Sequence, residues 1–182
     1  MRPTANLALL ALVIGCAAGA RAADPADPAH PVDACALLSP DDVAAVVGAS
    51  VEPGQKNDSG QVDGGGYSAT CLWKVSGAPV ASAAPEAPFS GARFAMLNTI
   101  TWPAGSGLAQ KYLADFYQAA KDNLIDNTPV PVKIGDDALW WGDGVAARKG
   151  DISFGVSTHV GNDKTGERAM EEALARKVAS KL

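Results

Sequence analysis

Apolar and polar residues alternate along much of the chain, and the period of the alternation changes from segment to segment. From Tyr67 to Val75 every second residue falls on one predicted strand face, which includes Cys71 and Trp73. Arg93 to Trp102 repeats the period of two. Short Gly- and Asp-containing turns then separate three more strands and favour antiparallel hairpins. These strands are predicted at Ala138–Trp141, Val145–Arg148 and Ile152–Val160.

Three helices are predicted by apolar residues that recur three and four positions apart. The first helix follows Ser39, a good capping residue, and stops at Gly48. The second follows Ser106, and the third runs from Glu167 towards Leu182. The apolar stripes of the last two helices are Ala109, Tyr112, Leu113, Phe116 and Ala120, and Met170, Leu174 and Val178. This order of elements predicts an α+β domain, with a single antiparallel β-sheet and helices packed on it.

Two segments of low apolar content interrupt the predicted elements. Residues 54–66 contain five glycines among polar residues, and residues 76–89 are rich in Ala, Pro and Gly. Both are predicted to be mobile loops, and loops of this kind commonly contact ligands or partners.

The first residues of the chain have the order typical of a bacterial export signal. Arg2 is followed by the apolar run from Leu7 to Ile14 and then by Ala20-Arg21-Ala22. We therefore predict a signal peptide at residues 1–22, a flexible Pro-rich spacer at 23–34 and one domain at 35–182. Export would place the mature protein in the periplasm or outside the cell.

A second way of ending the signal is also open. Val13-Ile14-Gly15-Cys16 resembles a lipoprotein box, in which the thiol of Cys16 would carry a diacylglycerol and hold the chain at a membrane. No other long apolar run is present, so a membrane association is expected only if Cys16 is lipidated.

Charge and composition narrow the range of partners. The chain has 15 Lys and Arg against 20 Asp and Glu, and removing Arg2 and Arg21 with the signal would leave 13 against 20, a net charge of −7. No basic patch is present, so nucleic acid is not an expected partner. His30 and His159 are the only histidines, and neither a metal site nor a cofactor is expected.

The predicted compartment indicates the oxidation state of the cysteines. Cys16 belongs to the signal, which leaves Cys35 and Cys71 as an even pair in an oxidising environment. We predict that they form a disulfide, with two buried free thiols as the alternative. Closing a loop of this length stabilises a fold by roughly 3–4 kcal/mol in the chain-entropy model.

The chain also carries short motifs in a recognisable order, namely Asp33 to Val43, Gly48, Cys71-Leu72-Trp73, Ile134 to Trp140, and Arg148 to Asp151. In this order they resemble a family of small bacterial envelope proteins grouped as a domain of unknown function and best known as actinobacterial lipoproteins. The resemblance implies a PsbP-like fold, an antiparallel sheet between helices, and a similar pair of cysteines. It brings no established reaction, so no catalytic residue is carried over.

Candidate chemistry in the domain is sparse. Ser157 and His159 would lie on one face of a strand, about 7 Å apart by strand geometry, and no nucleophile-elbow motif surrounds the serine. Trp140 and Trp141 would point to opposite faces. If helices cover only one face, one indole is a platform for sugars, peptides or lipids; if they cover both, the two indoles are core.

The leading hypothesis from the sequence is an exported, non-enzymatic binding or accessory module of the cell envelope. Its partner would be an unknown envelope protein or a small ligand. The alternative hypotheses are a small secreted hydrolase that uses Ser157 and His159, and a structural assembly factor.

Overall fold

The structure, a computed structural model, describes residues 31–77, 92–125, 127–161 and 164–182. The predicted signal peptide with Cys16, the spacer up to residue 30 and most of the loop 76–89 lie outside these residues. The helices are α1 (Ala34–Leu37), α2 (Pro40–Val47), α3 (Leu108–Lys121) and α4 (Lys164–Lys181). The strands are β1 (Gln55–Lys56), β2 (Gly60–Gln61), β3 (Tyr67–Lys74), β4 (Phe94–Thr101), β5 (Val130–Pro131), β6 (Asp137–Trp140), β7 (Val145–Lys149) and β8 (Ile152–His159).

All of these strands belong to one antiparallel sheet of eight strands. Its order is β1-β3-β4-β8-β7-β6-β5, and β2 pairs with β3 beside β1. The meander from β6 to β8 forms one half of the sheet, and β4 joins it to β3 through the central β4–β8 pair. The α+β class with a single antiparallel sheet and helices packed on it is therefore confirmed.

The register of the strands separates the sheet into two faces. Cys71 lies opposite Leu97, which lies opposite Val156, so these side chains share one face. We call this the core face; α1, α2 and α4 pack on it around one large apolar cluster. The other face, which we call the groove face, carries α3 and a small cluster of Leu113, Leu139 and Ala146. Helices therefore cover both faces of the sheet.

Helix α2 begins and ends where the sequence predicts. Oγ of Ser39 accepts from the backbone N–H of Asp42 at 3.1 Å, and Oδ2 of Asp42 accepts from that of Ser39 at 3.2 Å. This reciprocal capping box satisfies two amides that the first helical turn leaves free. Gly48 ends the helix with a φ of 68°, a left-handed conformation that costs glycine little.

The predicted disulfide between Cys35 and Cys71 is present and ties α1 to β3. The two Cα atoms lie 5.0 Å apart across 36 positions of sequence, and Cys71 is fully buried on the core face. The bond therefore holds the first helix of the domain against the middle of a long strand.

Two segments differ from expectation. The glycine-rich segment 54–66, expected to be a loop throughout, pairs with β3 through β1 and β2. The predicted spacer ends earlier than residue 34, because Val32 donates its N–H to Oγ1 of Thr101 at 3.1 Å and Ala34 opens α1. Both differences arise from backbone hydrogen bonds to the sheet, which a polar or proline-rich composition does not reveal. Among the described residues, no helix has the length and apolar character needed to cross a membrane.

Candidate functional site

The two adjacent tryptophans take different environments on the two faces. Trp140 lies at the edge of the core-face cluster, while Trp141 packs against Phe116 of α3 on the groove face, with ring centroids 6.0 Å apart. Because helices lie on both faces, neither indole is a bare platform. Both are nevertheless only partly buried, and Trp141 lines a cavity.

A line of three cavities follows one side of α3. The largest, about 340 Å³, lies between α3 and Trp102, and the next, about 260 Å³, shares Tyr112 and Asp115 with it. The third, about 220 Å³, shares Ile125 with the second and extends to Trp141. We call this line the α3 groove. The largest of the three cavities falls in the size range of small-molecule sites, which are commonly concave.

Four aromatic side chains line the α3 groove. Tyr112 and Phe116 meet edge to face with centroids 5.4 Å apart, and Phe116 in turn contacts Trp141. At the other end Trp102 donates its Nε1–H to Oγ of Ser153 at 2.9 Å, which fixes the orientation of the indole. The row therefore presents rings held by their neighbours, an arrangement that binds apolar ligand faces at little entropic cost.

Gly64 of the 54–66 segment lines the largest cavity, and Gly66 packs against Trp102 beside it. A Cβ at Gly66 would lie 2.7 Å from Cε3 of Trp102, and a Cβ at Gly64 would lie 2.9 Å from Cδ1 of Leu108. Only glycine lets the backbone approach these two side chains so closely. The glycine-rich composition predicts a mobile loop, but at Gly64 and Gly66 it permits close packing beside the groove.

The rim of the α3 groove is polar and largely paired. Lys111 and Asp115 on α3 form an ion pair of 2.7 Å, and Lys164 pairs with Asp143 at 2.6 Å. Exposed pairs of this kind contribute little stability, but they neutralise the charges that border the groove. Burial raises the pKa of the Tyr112 phenol, so this ring lines the groove as a neutral group.

Ser157 and His159 share a strand face, as expected, without forming a catalytic pair. None of the hydrogen bonds among the described residues joins them, and the imidazole instead packs beside the Phe94 ring with centroids 5.7 Å apart. No group of three or more metal-binding side chains is found within the described ranges. The geometry at these two residues is that of a half-buried strand end.

Two buried carboxyl groups escaped the sequence analysis. Glu167 and Glu171 on α4 are only 4% and 2% exposed, and they lie on the core face beside the end of β8. With Leu174 and Val178 they form a stripe spaced four, three and four residues apart, so the helical period runs through them. Carboxylates at positions that an apolar stripe would fill were the signal that could have identified them.

A comparison of this chain with known protein families, with curated proteins and with solved structures finds no match. The resemblance to small envelope proteins and the PsbP-like fold that it implies therefore stay predictions.

Proposed function

We propose that this chain is an exported, non-enzymatic binding or accessory module of the cell envelope and that the α3 groove receives its ligand. The observation that carries the proposal is the row Trp102, Tyr112, Phe116 and Trp141 along three cavities that share lining residues. Aromatic rings of this kind provide flat apolar surfaces on which a ligand can pack.

Export is supported by the signal-like order of the first 22 residues together with the Cys35–Cys71 bond. Disulfides persist in oxidising compartments and are rare in the cytosol of mesophiles. Mass spectrometry of the protein from its own host tests this part of the proposal. An N-terminus at Ala23 supports soluble export, an acylated Cys16 supports a membrane-anchored form, and retention of Met1 contradicts both.

The ligand proposed for the α3 groove is a small uncharged molecule with flat apolar faces. The largest cavity is of small-molecule size, and two aspartates at the rim, Asp115 and Asp143, are already paired with lysines. A charged ligand would have to compete with these pairs, whereas an apolar face gains contact with the rings at once.

Two tyrosines on α3 provide a matched test of the groove. Tyr112 lines the two larger cavities, whereas Tyr117 is 39% exposed and lines none of the three. With the neutral fluorescent probe N-phenyl-1-naphthylamine and the full mature chain, Tyr112→Ala is expected to weaken binding about tenfold, which corresponds to about 1.4 kcal/mol. Tyr117→Ala is expected to leave the affinity unchanged.

Two results would overturn this assignment. Absence of probe binding to the wild-type protein, or an equal loss in both tyrosine variants, would remove the groove as the binding site. Hydrolysis of an ester substrate that disappears in a folded His159→Ala variant would replace the binding function by a hydrolase.

A further inference from the structure

The end of β8 reaches beyond its neighbour β7. The pairing of β7 with β8 stops at Val145 and Val156, so the amides after Val156 on this edge lack a strand partner. Thr158 donates its N–H to Oε1 of Glu171 at 3.1 Å, and Val160 donates its N–H to Oε1 of Glu167 at 3.0 Å. The two carboxyl groups of α4 thus accept hydrogen bonds that the carbonyl groups of a longer β7 would otherwise accept.

Glu167 and Glu171 differ in how close they lie to a positively charged side chain. Lys164 lies 3.6 Å from Glu167 but pairs more closely with Asp143, at 2.6 Å. Glu171 has no cation at salt-bridge distance among the described residues; its second oxygen, Oε2, accepts from Nε1–H of Trp140 at 2.9 Å. Arg168 stacks over the Trp140 ring at 4.8 Å and pairs with Glu172 instead.

We propose that Glu171, whose buried carboxyl group joins α4 to Trp140 and Thr158, exchanges a proton with solvent and that this proton sets how firmly the first half of α4 is held against β6 and β8. The device is separate from the α3 groove and does not depend on the function proposed for it. Trp140 reports on the exchange directly, because its indole N–H donates a hydrogen bond to the carboxyl group that gains or loses the proton.

The physical chemistry of the site supports this exchange. Burial raises the pKa of Glu171 to about 7; the carboxylate of Glu167 adds to the rise, and the hydrogen bonds from Thr158 and Trp140 oppose it. Glu171 is only 2% exposed, and no cation at salt-bridge distance among the described residues offsets the cost of burying its charge.

The direction of the effect on stability follows from linkage. The pKa of Glu171 is higher in the folded protein than the ordinary value of 4.5, so the folded state binds the proton more tightly than the unfolded state. The contribution of Glu171 to stability is therefore fully present below the ordinary value of 4.5 and is lost as the pH rises through about 7. The hold of α4 on the sheet weakens towards alkaline pH.

The indole ¹H–¹⁵N signal of Trp140 tests the proposal, measured on the mature chain from pH 5 to 9 and assigned with Trp140→Phe. In the wild-type protein the signal is expected to move with a single midpoint near pH 7, and the thermal midpoint of unfolding is expected to fall across the same interval. Glu167→Gln removes the neighbouring negative charge and is expected to move the midpoint to lower pH.

Controls separate the titration of Glu171 from other causes. Glu171→Gln is expected to abolish the movement, while Glu172→Gln, on the same helix turn but paired with Arg168 and Arg176, is expected to keep it. His159→Asn is also expected to keep it, because the imidazole packs beside Phe94 on the opposite face of the sheet from Glu171. A Trp140 signal that stays constant from pH 5 to 9, or that moves equally in Glu167→Gln and the wild type, would overturn the proposal; so would its loss in His159→Asn.

Discussion

The two faces of the sheet share the same strands but differ in how completely their side chains are covered. On the core face three helices enclose large side chains such as Trp73, Leu97 and Phe154, each 1% exposed or less. On the groove face a single helix covers the meander, and the aromatic side chains around it remain partly open. Stability is therefore concentrated on one face and accessibility on the other.

This division explains why the α3 groove can be apolar without weakening the fold. The residues that α3 buries most deeply, Leu113, Leu139 and Ala146, are few and small to medium in size. The rings beside them contribute contact area that is available to a ligand. Variants on the two faces are therefore expected to separate loss of stability from loss of binding.

The largest effect is expected from Phe154→Ala on the core face. Removal of a fully buried ring leaves a cavity that the surrounding strands fill only in part, and the free energy of unfolding is expected to fall by about 3–5 kcal/mol. Urea unfolding followed by fluorescence measures this loss. A loss below about 1.5 kcal/mol would show that the core face is not the stabilising side.

The next largest loss of stability is expected from removal of the disulfide on the same face. Replacing both cysteines, Cys35→Ala with Cys71→Ala, is expected to lower the free energy of unfolding by roughly 3–4 kcal/mol, because the open chain gains conformational freedom when unfolded. The comparison is urea unfolding of the oxidised wild type, the reduced wild type and the double variant. Equal stability of the oxidised and reduced wild type would contradict the expectation.

On the groove face Phe116→Ala is expected to cost less, about 1–2 kcal/mol, because the ring is only partly buried against Tyr112 and Trp141. Binding of the neutral probe is expected to fall more clearly than stability. A loss of stability as large as that of Phe154→Ala would contradict the difference between the two faces, because it would show that the groove face stabilises the fold as much as the core face does.

The smallest effect is expected at Asp42, which joins α2 to α4 on the outer side of the core face. Hydrogen bonds from Lys181, Ser39 and Lys177 hold the pKa of Asp42 well below its ordinary value of 3.8. Asp42→Asn is therefore expected to cost about 1 kcal/mol at pH 7, with a difference from wild type that shrinks as the pH falls below about 4.

Asp41→Asn is the matched control for this variant, because Asp41 lies in the same helical turn but is exposed. A pH-independent cost for Asp42→Asn, or an equal cost for both variants, would contradict an ionic contribution. The pH dependence at Asp42 has the opposite sign to that expected at Glu171, so acid unfolding separates the two groups.

Local patterns predicted most of the fold. The period-two segment at Tyr67–Val75 became β3, and the Ser39 and Gly48 signals bounded α2. Both depend on neighbouring residues alone, which a sequence displays directly. The pairing of β1 with β3 joins residues as far apart in the sequence as Gln55 and Leu72, and amino-acid composition does not reveal such a pairing.

The candidate sites were less predictable than the fold, because they also depend on contacts between residues far apart in the sequence. Trp140 and Trp141 could be placed on opposite faces, but whether each face was covered depended on where α3 would pack. The α3 groove combines residues from α3, the segment after β4 and the glycine-rich wall, which only tertiary folding brings together. Glu167 and Glu171 gave a local signal, a pair of acids within an apolar stripe. Their partners on β6, on β8 and just after β8 gave none, because only tertiary folding brings them to α4.

Both borders of the sheet are too short to recruit another chain. β1 and β5 have two residues each, and β5 ends in Pro131, which has no amide hydrogen to offer an incoming strand. Such borders disfavour self-association into fibrils, because fibril growth needs a long row of vacant amides and carbonyls.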